Sequence, residues 1–334
     1  MQLEALLDDL KSYDGICNKK DIQAIGRALA QGFSHDDYPN GDDSAVIKSA
    51  DGYDLFAAEG FLSDFVAKDP WFAGWCGLMV NISDIAAMGG RPTAVTNVLW
   101  GQSEQQTQQI LDGMVAASHA FQVPIVGGHT NLKASSSQLA VSILGKAKKL
   151  LSSFTAQAGH DLVAAIDLRG DYRKPFLNWN AATTAPAKRL RGDIELLPIV
   201  AEQELAVAAK DISQPGILGA CTMMLECSQV GATIQLDAIP KPKASSWADW
   251  LRAFPSFGYL FTTPADRLEK LIALFEERDI AIAKIGEIIS EPKLNVCYGT
   301  EKKEFWNIER EVLTGMTTNT CAMNQVTVPR IKHA

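Results

Sequence analysis

The clearest pattern in the chain is a helical one. After Pro70, apolar residues at Phe72, Trp75, Leu78, Met79, Ile82, Ile85 and Ala86 recur at the 3.6-residue period, and Gly89-Gly90 followed by Pro92 ends the run. A second helix is predicted over Glu104–Phe121, and Leu3–Leu29 carries a helical period broken near Asp14-Gly15. Phe33–Asp43, rich in Gly, Asp, Pro and Asn, reads as a loop. Strands are predicted at Ala45–Lys48, Leu55–Ala58, Ala94–Leu99 and Gln138–Lys146, with a short buried strand at Val123–Val126.

The second half begins with a predicted strand over Asp161–Asp167. Helices are expected at Ile194–Lys210 and Ile217–Ser228, a strand at Thr233–Leu236 and a short helix at Ser245–Arg252. The succession of strand Gly258–Thr262, helix Pro264–Arg278 and strand Ala281–Ile289 alternates as an α/β layer does. Arg169–Ala187, rich in Pro, Asn and Trp, reads as a surface insertion or an active-site loop. In the second case Arg173, Lys174, Asn178 and Asn180 offer contacts to a substrate. No periodicity follows Gly315. These patterns divide the chain into residues 1–155, residues 156–315 and a tail, 316–334.

Composition narrows the class. Of 334 residues, 47% are apolar and 21% charged, as in ordinary globular proteins. The formal charge of −8 and the lack of a dense Lys/Arg run argue against nucleic acid or an anionic membrane as partner. The start Met1-Gln2-Leu3-Glu4 does not read as a signal peptide, and no apolar run is long enough for a membrane span. Six scattered cysteines without a Cys-x-x-Cys pair read as reduced thiols of a cytoplasmic protein.

Three stretches carry candidate chemistry. In Gly41-Asp42-Asp43-Ser44-Ala45-Val46, two adjacent carboxylates precede a strand; they either cap a turn or hold a cation. In Asn81-Ile82-Ser83-Asp84-Ile85-Ala86-Ala87-Met88-Gly89-Gly90, Asp84 faces the negative end of its helix, a cost of about 0.3–1 kcal/mol at an exposed site. Burial among apolar neighbours adds to that cost, so Asp84 is either solvated or neutralised by something positive such as a metal. In Val123-Pro124-Ile125-Val126-Gly127-Gly128-His129-Thr130, the glycine pair is either a plain turn or a place where backbone N–H groups meet phosphate. Hard oxygen donors suit Mg²⁺. No Walker A motif or strand-linked Gly-x-Gly-x-x-Gly occurs.

In order and spacing these three blocks resemble the aminoimidazole ribonucleotide (AIR) synthetase-like superfamily, which includes thiamine-monophosphate kinases, selenophosphate synthetases and hydrogenase maturation factors. Asp211-Ile212-Ser213-Gln214-Pro215-Gly216-Ile217-Leu218 resembles the family's Asp-x-Ser-Asp-Gly-Leu segment, and Pro255–Phe261 a later strand. The resemblance implies an α/β N-terminal half, with a mixed sheet that joins a partner's in a dimeric barrel, followed by an α+β sandwich. It implies a homodimer that binds ATP and Mg²⁺ and acts on a small-molecule acceptor. Matched position by position, Asp43, Glu59, Asp84 and Asp211 fall on metal-binding carboxylates. Asn81, Gly127, Gly128 and Thr130 fall in the nucleotide-phosphate region, and His129 and Asp84 are the catalytic candidates. Departures are Glu59 and Gln214 where the kinases have Asp, His129 for another Asp, and Gly60-Phe61-Leu62 in place of Gly-x-His-Phe. Cys17-Asn18-Lys19 lacks the glycine-rich loop of selenophosphate synthetases. The implied activity is ATP-dependent phosphoryl transfer; alternatives are a thiamine-monophosphate kinase and a nucleotide-binding assembly or regulatory protein without turnover.

Overall fold

The computed structural model describes residues 2–29 and 38–317. Residues 33–37 of the Phe33–Asp43 loop and most of the 316–334 tail fall outside those residues. Three short helices open the chain: α1 (Leu3–Lys11), α2 (Asp14–Cys17) and α3 (Ile22–Leu29). Their break lies at Ser12-Tyr13, just before Asp14-Gly15. Leu3, Leu6, Leu7, Leu10 and Ile16 pack into the core of the second half, beside Trp306. Residues 3–16, grouped by sequence with the N-terminal unit, therefore sit on the other one.

The first half is a five-stranded sheet covered by two long helices. Its strands are β1 (Ala45–Ser49), β2 (Gly52–Phe61), β3 (Arg91–Trp100), β4 (Ile125–Asn131) and β5 (Gln138–Ala147), in the order β1-β2-β5-β3-β4. The helices are α4 (Ser63–Lys68), α5 (Pro70–Ala87) and α6 (Glu104–Phe121); α5 packs on the sheet and α6 packs along α5. Alternation along each strand sends one set of side chains inward. Leu55, Ala57, Val95, Leu99, Val141 and Ile143 meet Phe72, Leu78, Ile82, Ile110 and Met114. The opposite face leaves Ile47, Phe56 and Leu144 exposed. The predicted buried strand Val123–Val126 is displaced. Val123 is buried, but β4 begins at Ile125 and residues 126–131 are exposed, because β4 is the sheet's edge and pairs with β3 alone.

The second half is a seven-stranded sheet between two layers of helix, with a small sheet beside it. Its strands are β6 (Asp161–Ile166), β7 (Asp171–Tyr172), β8 (Asn178–Asn180), β9 (Ala208–Asp211), β10 (Gly231–Gln235), β11 (Phe254–Pro255), β12 (Gly258–Thr263), β13 (Ala281–Ile289), β14 (Lys293–Tyr298) and β15 (Glu301–Asn307). The large sheet runs β15-β14-β10-β13-β6-β12-β9, and β11-β8-β7 form the small one. Its helices are α7 (Ala187–Ile194), α8 (Leu196–Glu202), α9 (Gly216–Ser228), α10 (Trp247–Trp250) and α11 (Leu268–Glu276). Leu162, Ala164 and Ile166 of β6 face the layer of α9, while Val163 and Ala165 face that of α8 and α11. Both faces are buried, so every residue of β6, β9 and β12 is buried.

The single helix expected over Ile194–Lys210 is corrected by this burial. The chain forms α7 and α8, turns at Glu204 with φ 56°, and continues as strand β9. A strand buried on both faces shows no alternation, and next to helical Leu and Ile its alanines read as more helix. The Arg169–Ala187 segment is no loose insertion. It folds as the β7–β8 hairpin, with Trp179 buried and its Nε1 donating to the Asp167 carbonyl at 3.0 Å.

The C-terminal segment 311–317 is tied down by one buried carboxylate. Glu226 of α9 accepts from the backbone N–H groups of Leu313 (2.8 Å), Thr314 (2.7 Å) and Gly315 (3.3 Å), and from the Thr314 hydroxyl. Glu226→Ala strands all four donors in a dry site. The expected loss is about 3 kcal/mol of stability, read by denaturant unfolding; a loss below about 0.5 kcal/mol would refute the clamp.

Candidate active site

Helix α5 starts where the Asp69 carboxylate accepts from the Phe72 N–H at 3.2 Å, a cap that contributes about 1 kcal/mol, with Pro70 in the first turn. It stops at Gly89, whose φ of 75° favours glycine; a Cβ there would also meet the Ala201 Cβ at 2.6 Å. Between these fixed ends Cys76, Val80 and Asp84 lie at four-residue steps along one helix face, and all three line a cavity of about 510 Å³ between the two halves. Asp84 is 5% exposed, and its Oδ2 is buried without a hydrogen-bond partner. Asn81 is fully buried, with Nδ2 donating to the Gly77 carbonyl at 2.8 Å and Oδ1 unpartnered. It does not line the cavity.

The two adjacent aspartates divide their duties. Asp42 accepts from the Ser153 N–H (3.0 Å), the Ser152 hydroxyl (2.6 Å) and the Asp43 N–H (3.1 Å), and so anchors the linker after β5. Asp43 turns to β9, where it accepts from the Asp211 N–H at 3.2 Å and forms an ion pair with Lys210. Both partners of that pair are almost fully buried, with side chains 3% and 4% exposed. Glu59, near the end of β2, and Asp211, at the end of β9, complete the acidic wall. Lys210 is the buried cation that the periodicity hid, since the pattern there ends a helix. Lys19 also reaches the cavity from the turn after α2, and its charge bears on Glu59 and Asp211.

So many carboxylates in one dry place perturb one another. Burial first, then Asp211, Glu59 and Asp43, push the Asp84 carboxyl well above its ordinary range. Asp211 is pushed up to about 7 by burial and then by Asp43. Burial raises Glu59, against the pull of Lys19. Burial alone would depress Lys210, but Asp43, Asp211 and Asp42 outweigh it and keep the ammonium charged. Among the described residues Lys210 and Lys19 face five carboxylates. The unpartnered Oδ2 atoms of Asp84 and Asp211 and the excess negative charge fit a divalent cation with hard oxygen ligands. Among the described residues no three Asp, Glu, His or Cys side chains converge on one point. The carboxylates instead surround the cavity, which suits Mg²⁺, an ion that takes few protein ligands and fills its shell with phosphate and water.

The sign of the pH effect follows. A carboxyl whose folded pKa is raised holds its proton more tightly in the folded chain. That stabilisation is complete below the unfolded value of about 4 and is lost as pH rises towards 7. A divalent cation held by these carboxylates would compete with those protons, so any rise in Tm given by Mg²⁺ is expected to be larger at pH 8 than at pH 5.5. An equal or smaller rise at pH 8, measured by thermal melting, would exclude these carboxylates as its ligands.

The structure brings Asp43, Glu59, Asp84 and Asp211 to one cavity. It places Gly127, Gly128, His129 and Thr130 elsewhere, on the exposed edge strand β4 and outside the cavity lining. A Cβ on Gly128 would meet Asn97 Oδ1 at 2.5 Å, so close packing on β3 accounts for that glycine; a Cβ on Gly127 would meet nothing within 4 Å. Of the hairpin residues, Asn178 lines the cavity. Arg173 is held by Asp69 at 2.8 Å, Asn180 bonds the Thr183 hydroxyl at 2.6 Å, and Lys174 lies over the Tyr172 ring. Gln214 and Ser213, from the segment after β9, line the cavity as well.

A mixed five-stranded sheet joined to a seven-stranded sandwich matches the fold of the AIR synthetase-like proteins. Residues 41–147 match the AIR synthase related protein, N-terminal domain, and residues 176–299 the C-terminal domain of the same family. The chain belongs to this AIR synthase related family. It is 42% identical over 319 residues to an uncharacterized protein of Synechocystis sp., covering 94% of this chain and 99% of that one. It is 29% identical over 236 residues to the thiamine-monophosphate kinase of Synechococcus elongatus, covering 62% and 69%. The solved structure of T. maritima PurL complexed with ATP superposes with a TM-score of 0.75 at 18% identity, over 95% of this chain and 53% of that one, a likeness of fold. The chain thus spans about half the length of that structure. Among the described residues no helix is long and apolar enough to cross a membrane.

Proposed function

We propose that this chain binds Mg-ATP in the acidic cavity and transfers the γ-phosphoryl group to a small-molecule acceptor. The observation that carries the reading is the set of carboxylates on the cavity wall, Asp84 and Asp211 each with an unpartnered buried oxygen, in excess over the lysines that face them, Lys210 and Lys19. Names of relatives support it, a kinase by sequence and an ATP complex by fold. Asp43, Glu59, Asp84 and Asp211 would hold Mg²⁺, which neutralises the triphosphate when bound. Lys210 keeps the cluster from repelling the anionic nucleotide and fixes Asp43. In the transfer the bond from γ-phosphorus to its bridging oxygen breaks, the acceptor oxygen bonds to phosphorus, and the acceptor proton passes to solvent. Catalysis is positioning and charge stabilisation. His129, outside the cavity wall, takes no part in the transfer within one chain.

One observation favours a second reading. Asp43 is already neutralised by Lys210, which removes a ligand and suits a protein that binds nucleotide without turnover. Calorimetric titration with Mg-ATP, followed by ADP release over an acceptor panel that includes thiamine monophosphate, separates the two. Tight binding without release on any acceptor supports the second; no binding ends both. The exposed apolar face of the first sheet, with Ile47, Phe56 and Leu144, supports the homodimer, for which light scattering is the test. The cysteines among the described residues, all of them free, support a reducing, cytoplasmic setting.

A further inference from the structure

The C-terminal segment, residues 311–317, is fastened along its length, and what it brings to the cavity is a methionine. The Glu311 carbonyl accepts from Trp306 Nε1 at 2.7 Å, and the Glu311 carboxylate pairs with Lys11 of α1 at 3.8 Å. Gln23 of α3 donates from Nε2 to the Val312 carbonyl at 3.0 Å and to that of Leu313 at 3.2 Å. Glu226 takes the N–H groups of Leu313, Thr314 and Gly315. The Met316 N–H then donates to the Thr314 hydroxyl at 3.3 Å.

Thr314 and Met316 line the same cavity as Gly41, Asp42 and Asp43. Met316 fills the gap between α3 and that acidic loop. A Cβ on Gly41 would lie 2.4 Å from the Met316 Cγ, and one on Gly26 of α3 would lie 2.2 Å from its Cε. The three heavy atoms nearest to such a Cβ at Gly41 all belong to Met316. Gly41 has a φ of 111°, so backbone and packing both ask for glycine there. An unbranched thioether suits a gap of this irregular kind. The loop is thus held in sequence: Gly41 by Met316, Asp42 by Ser152 and Ser153, and Asp43 by β9. Tyr13, Lys19, Ile22, Thr314 and Met316 all line the cavity, and all lie outside the matched residues 41–147 and 176–299. This wall is built from chain beyond the two matched domains.

We propose that Met316 is a positioning residue, and that the 311–316 segment is a wall of the ligand site. Met316 holds Gly41, Gly41 sets the path of the next two residues, and that path brings the Asp43 carboxylate to the cavity. Glu226 acts one step further back, by fixing the backbone that leads into Met316. The proposal rests on the Mg-ATP reading for what the loop binds, and not for how the loop is seated. A wall with no part in binding would contribute stability and leave affinity alone, so the two roles are separable.

The test compares Met316→Ala with Met316→Leu, each checked for folding by thermal melting. In calorimetric titration Met316→Ala is expected to raise the Kd for Mg-ATP about tenfold. Met316→Leu, which refills the gap, is expected to bring it back to within about twofold of the parent. An alanine variant that binds as tightly as the parent overturns the proposal, as does a leucine variant no better than alanine. Hydrogen exchange on the ligand-free protein reads the seating itself. The amides of Asp43, Ser153 and Asp211, which donate to Asp42 or Asp43, are expected to exchange at least about fivefold faster in Met316→Ala, while those of β6 keep the parent's rate. Equal acceleration in β6 would mark general loosening and refute the positioning role. Glu226→Gln is expected to speed the Asp43 amide too; faster exchange at Thr314 beside an unchanged Asp43 would overturn the part given to Glu226. If the parent binds no Mg-ATP, the proposed function fails by itself and the exchange comparison alone decides the wall. Faster Asp43 exchange in Met316→Ala, restored by Met316→Leu, then supports it, and an unchanged rate refutes it.

Discussion

Asp84→Asn is expected to weaken Mg-dependent ATP binding by about a hundredfold or more, without lowering the melting temperature of the metal-free protein. Asn keeps the shape of the side chain and removes the charge. In the metal-free chain that charge is a burden. It is buried near Asp211, Glu59 and Asp43, all of which disfavour it, and one of its oxygens has no partner. Removing it relieves repulsion while deleting a hard anionic ligand. The two halves of the expectation separate a binding role from a structural one, because a structural aspartate would lower the melting temperature on replacement. Titration calorimetry and thermal melting of the variant decide it. A variant that binds Mg-ATP as tightly as the parent would remove the site assignment altogether.

Lys210→Met should cost about 3–5 kcal/mol of folding stability, the usual penalty for removing one partner of a buried ion pair. Lys210 is 2% exposed and faces Asp43, Asp211 and Asp42; methionine fills the volume but removes the buried cation paired with Asp43. Part of the loss should return in millimolar Mg²⁺, because a divalent ion supplies the missing charge and Asp43 is freed to bind it. Denaturant unfolding with and without Mg²⁺ is the measurement. A variant as stable as the parent would show that the pair is incidental, and a loss untouched by Mg²⁺ would place the metal elsewhere.

Much of this site was legible in the chain because its chemistry is local. Asp84 stood out as a carboxylate in an apolar helix near its negative end, and the structure shows it buried and short of a partner. Gly41-Asp42-Asp43 was legible as a pair of acids before a strand, though not which acid would cap the linker and which would face the cavity. That choice depends on Ser152, Ser153 and Lys210, more than a hundred residues away. The Gly127-Gly128 pair illustrates the opposite case. Its spacing suggested a phosphate loop, and the structure sets it on an exposed edge strand, where Asn97 explains one of the two glycines.

What the sequence determined by itself was the class: an α/β protein of the AIR synthetase-like kind, with acidic residues at the ends of β-strands and in one apolar helix. Periodicity and short motifs carry that information because they depend on neighbours within a few positions. Tertiary structure decided the contents of the cavity. Lys210 became visible only when β9 paired with β12, since a strand buried on both faces has no alternation to betray it. Phe61, Phe176 and Phe254 meet only because strands from both halves close on one cleft, and Lys19 joins them because α1 packs on the core of the second half. Charge balance and ligand shape are sums over residues far apart in the chain, so they are set where the chain folds back on itself.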